Sequence, residues 1–270
     1  MNLKKVNTIY FSPTGGTEKI VRLVTGNLAD RLGLQQNFYD FTKPENRQNE
    51  YHFEKDELLV MASPVYAGRL PNKLMPEYKA KIGGVGTPAI PICVFGNRSP
   101  GESLRELMML LGDNGFQIVG AAAFAGRHAF SDKVGYGRPD KADLLEIEAF
   151  TAKIAEKLLN GENPFLEIDR SEIGPYYTPL KEDGMPAKFL KARPSTDEGK
   201  CTHCGQCVQA CPLGSIDQKT AEAVGLCMKC QACIRCCPVH AKFFEDGDFL
   251  SHVAMLENNY TRRAENHIII

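Results

Sequence analysis

The sequence predicts an α/β protein in two parts. A doubly wound domain on a five-stranded parallel sheet occupies residues 1–165, an extended connector residues 166–195, and a small α+β domain with a C-terminal helix residues 196–270. Three observations carry this reading. In the first half of the chain, short apolar runs alternate with stretches of helical periodicity, the pattern of a parallel sheet covered by helices. Glycine-rich or proline-rich turns follow the apolar runs directly. Nine of the ten cysteines fall between Cys201 and Cys237, and only Cys93 lies elsewhere.

Taken in order, Val6–Phe11 reads V-N-T-I-Y-F, a buried strand, and runs into Ser12, Pro13, Thr14, Gly15, Gly16 and Thr17. Ile20, Val21, Val24, Leu28 and Leu32 then recur at helical spacing until Gly33 ends the helix. Leu34–Phe41, Glu57–Ser63 and Ala89–Phe95 supply the second, third and fourth strands, although Pro91 is awkward within a central strand. Cys93, mid-strand, reads as a small buried hydrophobe. Leu104, Leu107, Met108 and Leu111 mark an amphipathic helix, Phe116–Ala125 the fifth strand, and Lys141–Asn160 a long helix. From Gly161 to Lys200 the chain is rich in proline, glycine and charge without periodicity, which predicts the connector. Leu250, Val253, Leu256 and Tyr260 mark a terminal helix, and Ile268–Ile270 either dock or fray.

Composition narrows the function. The 270 residues are 43% hydrophobic and 24% charged with a net charge of -1, which argues against a dedicated binder of nucleic acid or anionic membrane. No apolar run approaches the ~18 residues of a membrane span, and the N-terminus lacks a signal-peptide pattern. A cytoplasmic chain is expected. In a reducing compartment a local set of cysteines means metal rather than disulfides.

From Cys201 the spacing is C-x2-C-x2-C-x3-C-P, through Cys204, Cys207 and Cys211, and it repeats through Cys227, Cys230, Cys233 and Cys237. Three thiolates two residues apart can wrap one cubane, while the fourth, followed by proline, points to the other. The expectation is two [4Fe–4S] clusters with crossed ligation. Cys201, Cys204, Cys207 and Cys237 hold one, and Cys227, Cys230, Cys233 and Cys211 the other. Zinc favours two C-x2–4-C pairs across a longer spacer and fits this arithmetic poorly. Cys236 reads as a bystander thiol, with substitution for Cys237 as the alternative. His203 and His240 read as solvent-facing or supporting groups, since sulfur fills all eight ligand positions.

The first loop is an anion site by construction. A strand, a loop of hydroxyls and glycines, and a helix N-terminus aim backbone N–H groups at one point, with Ser12, Thr14 and Thr17 adding hydroxyls and Gly15 and Gly16 allowing close approach. It lacks the G-K-[ST] of an ATP loop and the G-x-G-x-x-G of a dinucleotide loop, and it carries no base. Such a site suits the terminal phosphate of FMN. The alternative is a glycine-rich turn with no ligand.

S-x-T-G-G-T after the first strand resembles the phosphate loop of flavodoxins. Pro64, Val65, Tyr66 and Gly68 resemble their first isoalloxazine loop, which makes Tyr66 the candidate ring-stacking residue, and Gly96, Asn97 and Arg98 resemble the second. The absence of tryptophan is a departure from that pattern. Joined to a bacterial two-[4Fe–4S] ferredoxin motif, the whole resembles the EFR-type flavodoxin–ferredoxin fusion proteins. The resemblance supplies architecture more than a reaction, and an oxygen-sensitive electron-transfer flavoprotein with a redox partner protein as donor or acceptor is the expectation. Clusters passing one electron at a time and FMN holding one or two give a relay between the two kinds of chemistry. A flavin-dependent reductase acting on a quinone or unsaturated compound is the alternative, and a redox or iron sensor a third. Arg127 and His128, after the fifth strand, serve either substrate or partner contact or a surface role. The ferredoxin-like segment carries Lys219, Lys229, Arg235 and Lys242 against Asp217 and Glu222, so an acidic partner or delivery within the chain fits its charge.

Overall fold

In the computed structural model, which describes residues 1–161 and 164–270, β1 (Lys5–Tyr10) leads into α1 (Gly16–Leu32). Gly33 closes that helix at φ 66°, with its N–H on the Ala29 carbonyl, a left-handed conformation open to glycine without a Cβ clash. β2 (Gln35–Asp40), β3 (Tyr51–Phe53), β4 (Glu57–Pro64), α2 (Met75–Lys81), β5 (Ile82–Gly84) and β6 (Thr87–Phe95) follow. Then come α3 (Ser103–Asp113), β7 (Phe116–Ile118), β8 (Ala121–Ala125) and α4 (Lys141–Leu159).

The main sheet runs β2-β1-β4-β6-β8 with every neighbour parallel. Counted among themselves these strands stand in the order 2-1-3-4-5. That is the flavodoxin-like order, whose ligand crevice lies beyond the carboxyl ends of the strands. β4, β6 and β8 are buried on both faces, which is why they read as continuous apolar runs, whereas the edge strand β2 is polar and half-exposed. Along β4, Leu58 and Val60 join Ile20, Val21 and Phe150 under α1 and α4, while Leu59 and Met61 turn to Leu107 and Leu111 of α3.

Two expectations change: the sheet has seven strands rather than five, because β7 and β11 (His267–Ile269) join it, and its fifth strand is broken. The single strand predicted over Phe116–Ala125 is two, β7 and β8, broken at Val119–Gly120. Gly120 lies so close to α4 that a Cβ there would stand 2.1 Å from Ile154 Cδ1. Pro91 is nevertheless inside the central strand β6, opposite Met61 of β4. On its other side the ladder passes from Ala89–Ile118 to Ile92–Ala122, so the missing N–H falls at the β7–β8 break. β3 and β5, three residues each, pair in parallel apart from the main sheet, and so short a ladder leaves no periodicity to read.

The connector runs along the first sheet. Leu166 donates to the Ile118 carbonyl and Tyr177 to that of Ala67, while Arg69 holds Gly174 O. Residues 162–163, inside the predicted first domain, lie outside the described residues. β9 (Ser195–Thr196) then pairs antiparallel with β10 (Lys242–Phe243), bracketing α5 (Gln206–Ala210) and α6 (Ala232–Arg235). The segment between repeats its backbone. His203, Gly205 and Gly214 have φ of 52°, 74° and 60°, and Lys229, Gln231 and His240, each 26 places later, have 58°, 68° and 51°.

α7 (Gly247–Asn259) begins on an Asp246 side-chain cap and packs Phe249 on Phe189 and Phe244, and Met255 and Leu256 on Val134. The tail docks. β11 (His267–Ile269) adds antiparallel to β8 as the edge of the main sheet. Among the described residues no helix is long and apolar enough to cross a membrane.

Candidate functional site

At the carboxyl edge of the sheet the loops after β1, β4, β6 and β8 surround a cavity of ≈ 250 Å³. Ser12, Thr14, Gly16, Thr17, Pro64, Val65, Tyr66, Gly96 and Arg98 line it, together with Arg127 and His128. The first loop is pinned from both sides, with Ser12 N–H on Thr42 Oγ1 at 2.8 Å and Ser12 Oγ accepting from Glu18 N–H at 3.0 Å. The first-turn N–H groups of α1, at Gly16 and Thr17, have no intrahelical acceptor and stand where the helix dipole favours an anion.

Gly15, Gly68 and Asn97 do not line the cavity. Gly15, at φ 80°, turns the chain into α1. Ala67 and Gly68, at φ 50° and 76°, form a tight turn closed by reciprocal Tyr66 and Arg69 backbone bonds, and that turn presents Tyr66. Asn97 is buried with both polar atoms engaged. Its Nδ2 donates to Tyr260 O and Arg262 O, and its Oδ1 accepts from Ala264 N–H and Arg138. The residue therefore fastens the C-terminal tail.

The far wall comes from Tyr177, Phe189, Met228, Lys229, Cys230 and His252, none of which the sequence placed at this cavity. The Arg98 guanidinium lies over the Tyr177 ring at 3.9 Å. The His128 ring packs against the backbone of Gly96, where a Cβ would meet its Cδ2 at 2.5 Å. Burial, then the neighbouring His252, Arg98 and Arg235, bring His128 down to about 4, so the ring is neutral at pH 7. Its Nδ1 accepts the Phe130 N–H, which leaves the proton on Nε2. His252 is the complement. Its Nδ1 lies 2.8 Å from Leu180 O and must donate to it, which leaves Nε2 an acceptor. Burial raises the Tyr66 phenol, reinforced by Cys230, and keeps it protonated.

Two smaller cavities lie in the cysteine-rich segment. Cys201, Cys204, Cys207 and Cys237 line one, and Cys211, Cys227, Cys230 and Cys233 the other. Each takes three thiols from one motif and the fourth from its twin. Backbone N–H groups reach sulfur at three of them: Ser215 to Cys211 at 3.3 Å, Lys229 to Cys227 at 3.4 Å and Ala241 to Cys237 at 3.2 Å. Such bonds favour thiolate and tune a cluster's potential. Burial pushes the Cys233 thiol up to about 12, opposed by the ammonium of buried Lys242, so loading the site releases protons. Among the described residues no three His, Cys, Asp or Glu side chains close on a single-ion point. Each quartet stands around a void. Cys236 lines neither void, and its Sγ is 3.6 Å from Cys233 O.

Residues 194–217 match the 4Fe-4S binding domain family. The chain thus carries a site for at least one [4Fe–4S] cluster. No curated protein matches it in sequence. Among solved structures it is similar to a flavodoxin from the domain Archaea (16% identity, TM-score 0.40, covering 57% of this chain and 99% of that one). Flavodoxin 2 from Bacillus cereus gives 16% identity and a TM-score of 0.42, covering 57% and 99%. Rubredoxin oxygen:oxidoreductase from Desulfovibrio gigas gives 16% and 0.38, covering 59% of this chain and 37% of that one. At such values the fold rests on the strand order of the chain itself.

Proposed function

We propose that the chain relays electrons between two [4Fe–4S] clusters and one FMN, coupling one-electron to two-electron chemistry, with a redox partner protein at one end of the relay. The observation that carries the proposal is the position of Cys230, a cluster-type thiol in the wall of the same cavity that the three flavin-type loops line. Bound in these sites, iron–sulfur clusters supply single electrons and FMN accepts one or two. Ser12, Thr14, Gly16 and Thr17 would hold the phosphate, Tyr66 and the Gly96–Arg98 loop the ring, and the two thiol quartets the iron. The repeated backbone of the cysteine-rich segment supports a second cluster beside that of the matched residues.

Iron and flavin content per chain, on protein purified without oxygen, tests this. About eight irons and one FMN are expected. About four irons would remove the second cluster, and eight irons with no flavin after FMN is added would remove the flavin half.

A second reading, reduction of a small molecule at the flavin, is favoured by one feature. The His128 Nε2–H donor and the His252 Nε2 acceptor share the cavity wall with Phe130, Phe189 and Leu256, an apolar surface with two polar points suited to a planar carbonyl compound such as a quinone. Turnover of such acceptors without a partner protein would place this reading first.

A further inference from the structure

Two of the cavities described above share a wall. Met228, Lys229 and Cys230 line both the flavin-type cavity and the void enclosed by Cys211, Cys227, Cys230 and Cys233. No thiol of the other quartet lines the flavin-type cavity, and that quartet lies toward solvent, with Cys204 exposed, whereas Cys233 of the first is buried. Lys229 is fixed within the wall. It is 9% exposed, its backbone N–H is on Cys227 Sγ, and its ammonium donates to Leu190 O at 2.8 Å. At the equivalent place in the other half of the repeat stands His203, which is exposed and reaches only Glu198, at 3.6 Å. At this position of the repeat the buried cation stands on the cavity side, while the other buried lysine of the segment, Lys242, lines the void of the other quartet.

We infer that the quartet Cys211, Cys227, Cys230 and Cys233 is the inner redox site, exchanging electrons directly with the flavin-type cavity, and that Lys229 is the residue in the shared wall that raises the reduction potential on both sides. The quartet containing Cys204 is then the outer site, where electrons enter from or leave to a partner. This rests on the relay reading above. A fixed positive charge beside two centres favours the more negative, reduced form of each. One electron crosses the wall at a time, lost on one side and gained on the other. No bond in the wall forms or breaks, and protons taken up on full flavin reduction come from solvent.

Spectroscopic redox titration of the holoprotein tests the assignment with Lys229→Met, Lys229→Arg and Cys204→Ser. Lys229→Met is expected to shift the inner-cluster and flavin midpoints to more negative values and leave the outer cluster in place, and Lys229→Arg to return both toward the unaltered values. Cys204→Ser, which disturbs only the outer quartet, leaves the flavin midpoint unmoved, and it decides the inner and outer assignment even if Lys229→Met does not fold. Iron and flavin contents on the same samples separate the failures. A chain that takes up no flavin overturns the relay reading and this inference with it. Loaded proteins whose flavin midpoint ignores Lys229→Met, or follows Cys204→Ser, overturn this inference alone.

Discussion

The main sheet and the cysteine-rich segment are held together by different physics. The sheet is closed by two apolar layers, with Ile9, Leu59, Met61 and Phe95 fully buried or nearly so on one face and Val6, Leu58, Val60 and Phe124 fully buried on the other. The segment from Ser195 to Phe244 buries little of comparable size beyond Ile216 and Phe244, and its strands and helices run two to five residues. Hydrophobic burial at ~25 cal/mol per Å² can organise the first. The second is too poor in apolar surface to do so and depends on its ligands, as small metal-bearing modules do.

Removing iron with a chelator is the sharpest way to break that contrast. Metal binding in small modules is worth ~10 kcal/mol or more of folding free energy. Hydrogen exchange should therefore lose protection throughout 201–241 while β1, β4 and β6 keep theirs; a sheet that opens at the same time would end the distinction. Phe124→Ala is the converse. A cavity in the second apolar layer should cost ~3–5 kcal/mol in denaturant unfolding of the sheet and leave iron content unchanged.

A third effect is pH-dependent. The pKa of His128 is depressed to about 4 from the usual 6.5, so its contribution to stability is complete above about 6.5 and is lost as pH falls toward 4. The difference is up to ~3 kcal/mol. Urea unfolding of the sheet at pH 7 and pH 5 should show the decline, and His128→Gln should flatten it. The smallest effect is expected at Cys236→Ser, within ~0.5 kcal/mol and with full iron content, because Cys236 lines neither void. Cys237→Ser, one residue on, should cost half the iron.

The same contrast sets what a reader of the sequence can see. Cysteine spacing is local covalent geometry, so the grouping of the thiols around the two voids, three from one motif and the fourth from its twin, is legible before any fold is known. Helical periodicity likewise marks α1 through Ile20, Val21, Val24 and Leu28, and α3 through Leu104, Leu107 and Leu111. Contacts made over long separations are not legible. Asn97 looks like a loop residue at the flavin edge, yet its partners Tyr260, Arg262 and Ala264 lie in the tail. Tyr177, Phe189 and His252 carry no local sign of sharing a cavity with Ser12. The break at Gly120 follows from the approach of Ile154 on α4, and no window around residues 116–125 reports it.

The pairing of β11 with β8 changes how the cysteine-rich segment is carried. The chain leaves the main sheet through the connector and returns to it as β11, and Arg47 adds a stitch between them by donating to Pro212 O at 2.7 Å. A module hung from a single flexible linker sweeps a volume, and its encounters slow as the solvent thickens or the linker lengthens. A module clamped at both ends has no swing to wait for. Internal electron exchange should therefore be insensitive to added glycerol, whereas exchange with a separate partner would slow with it.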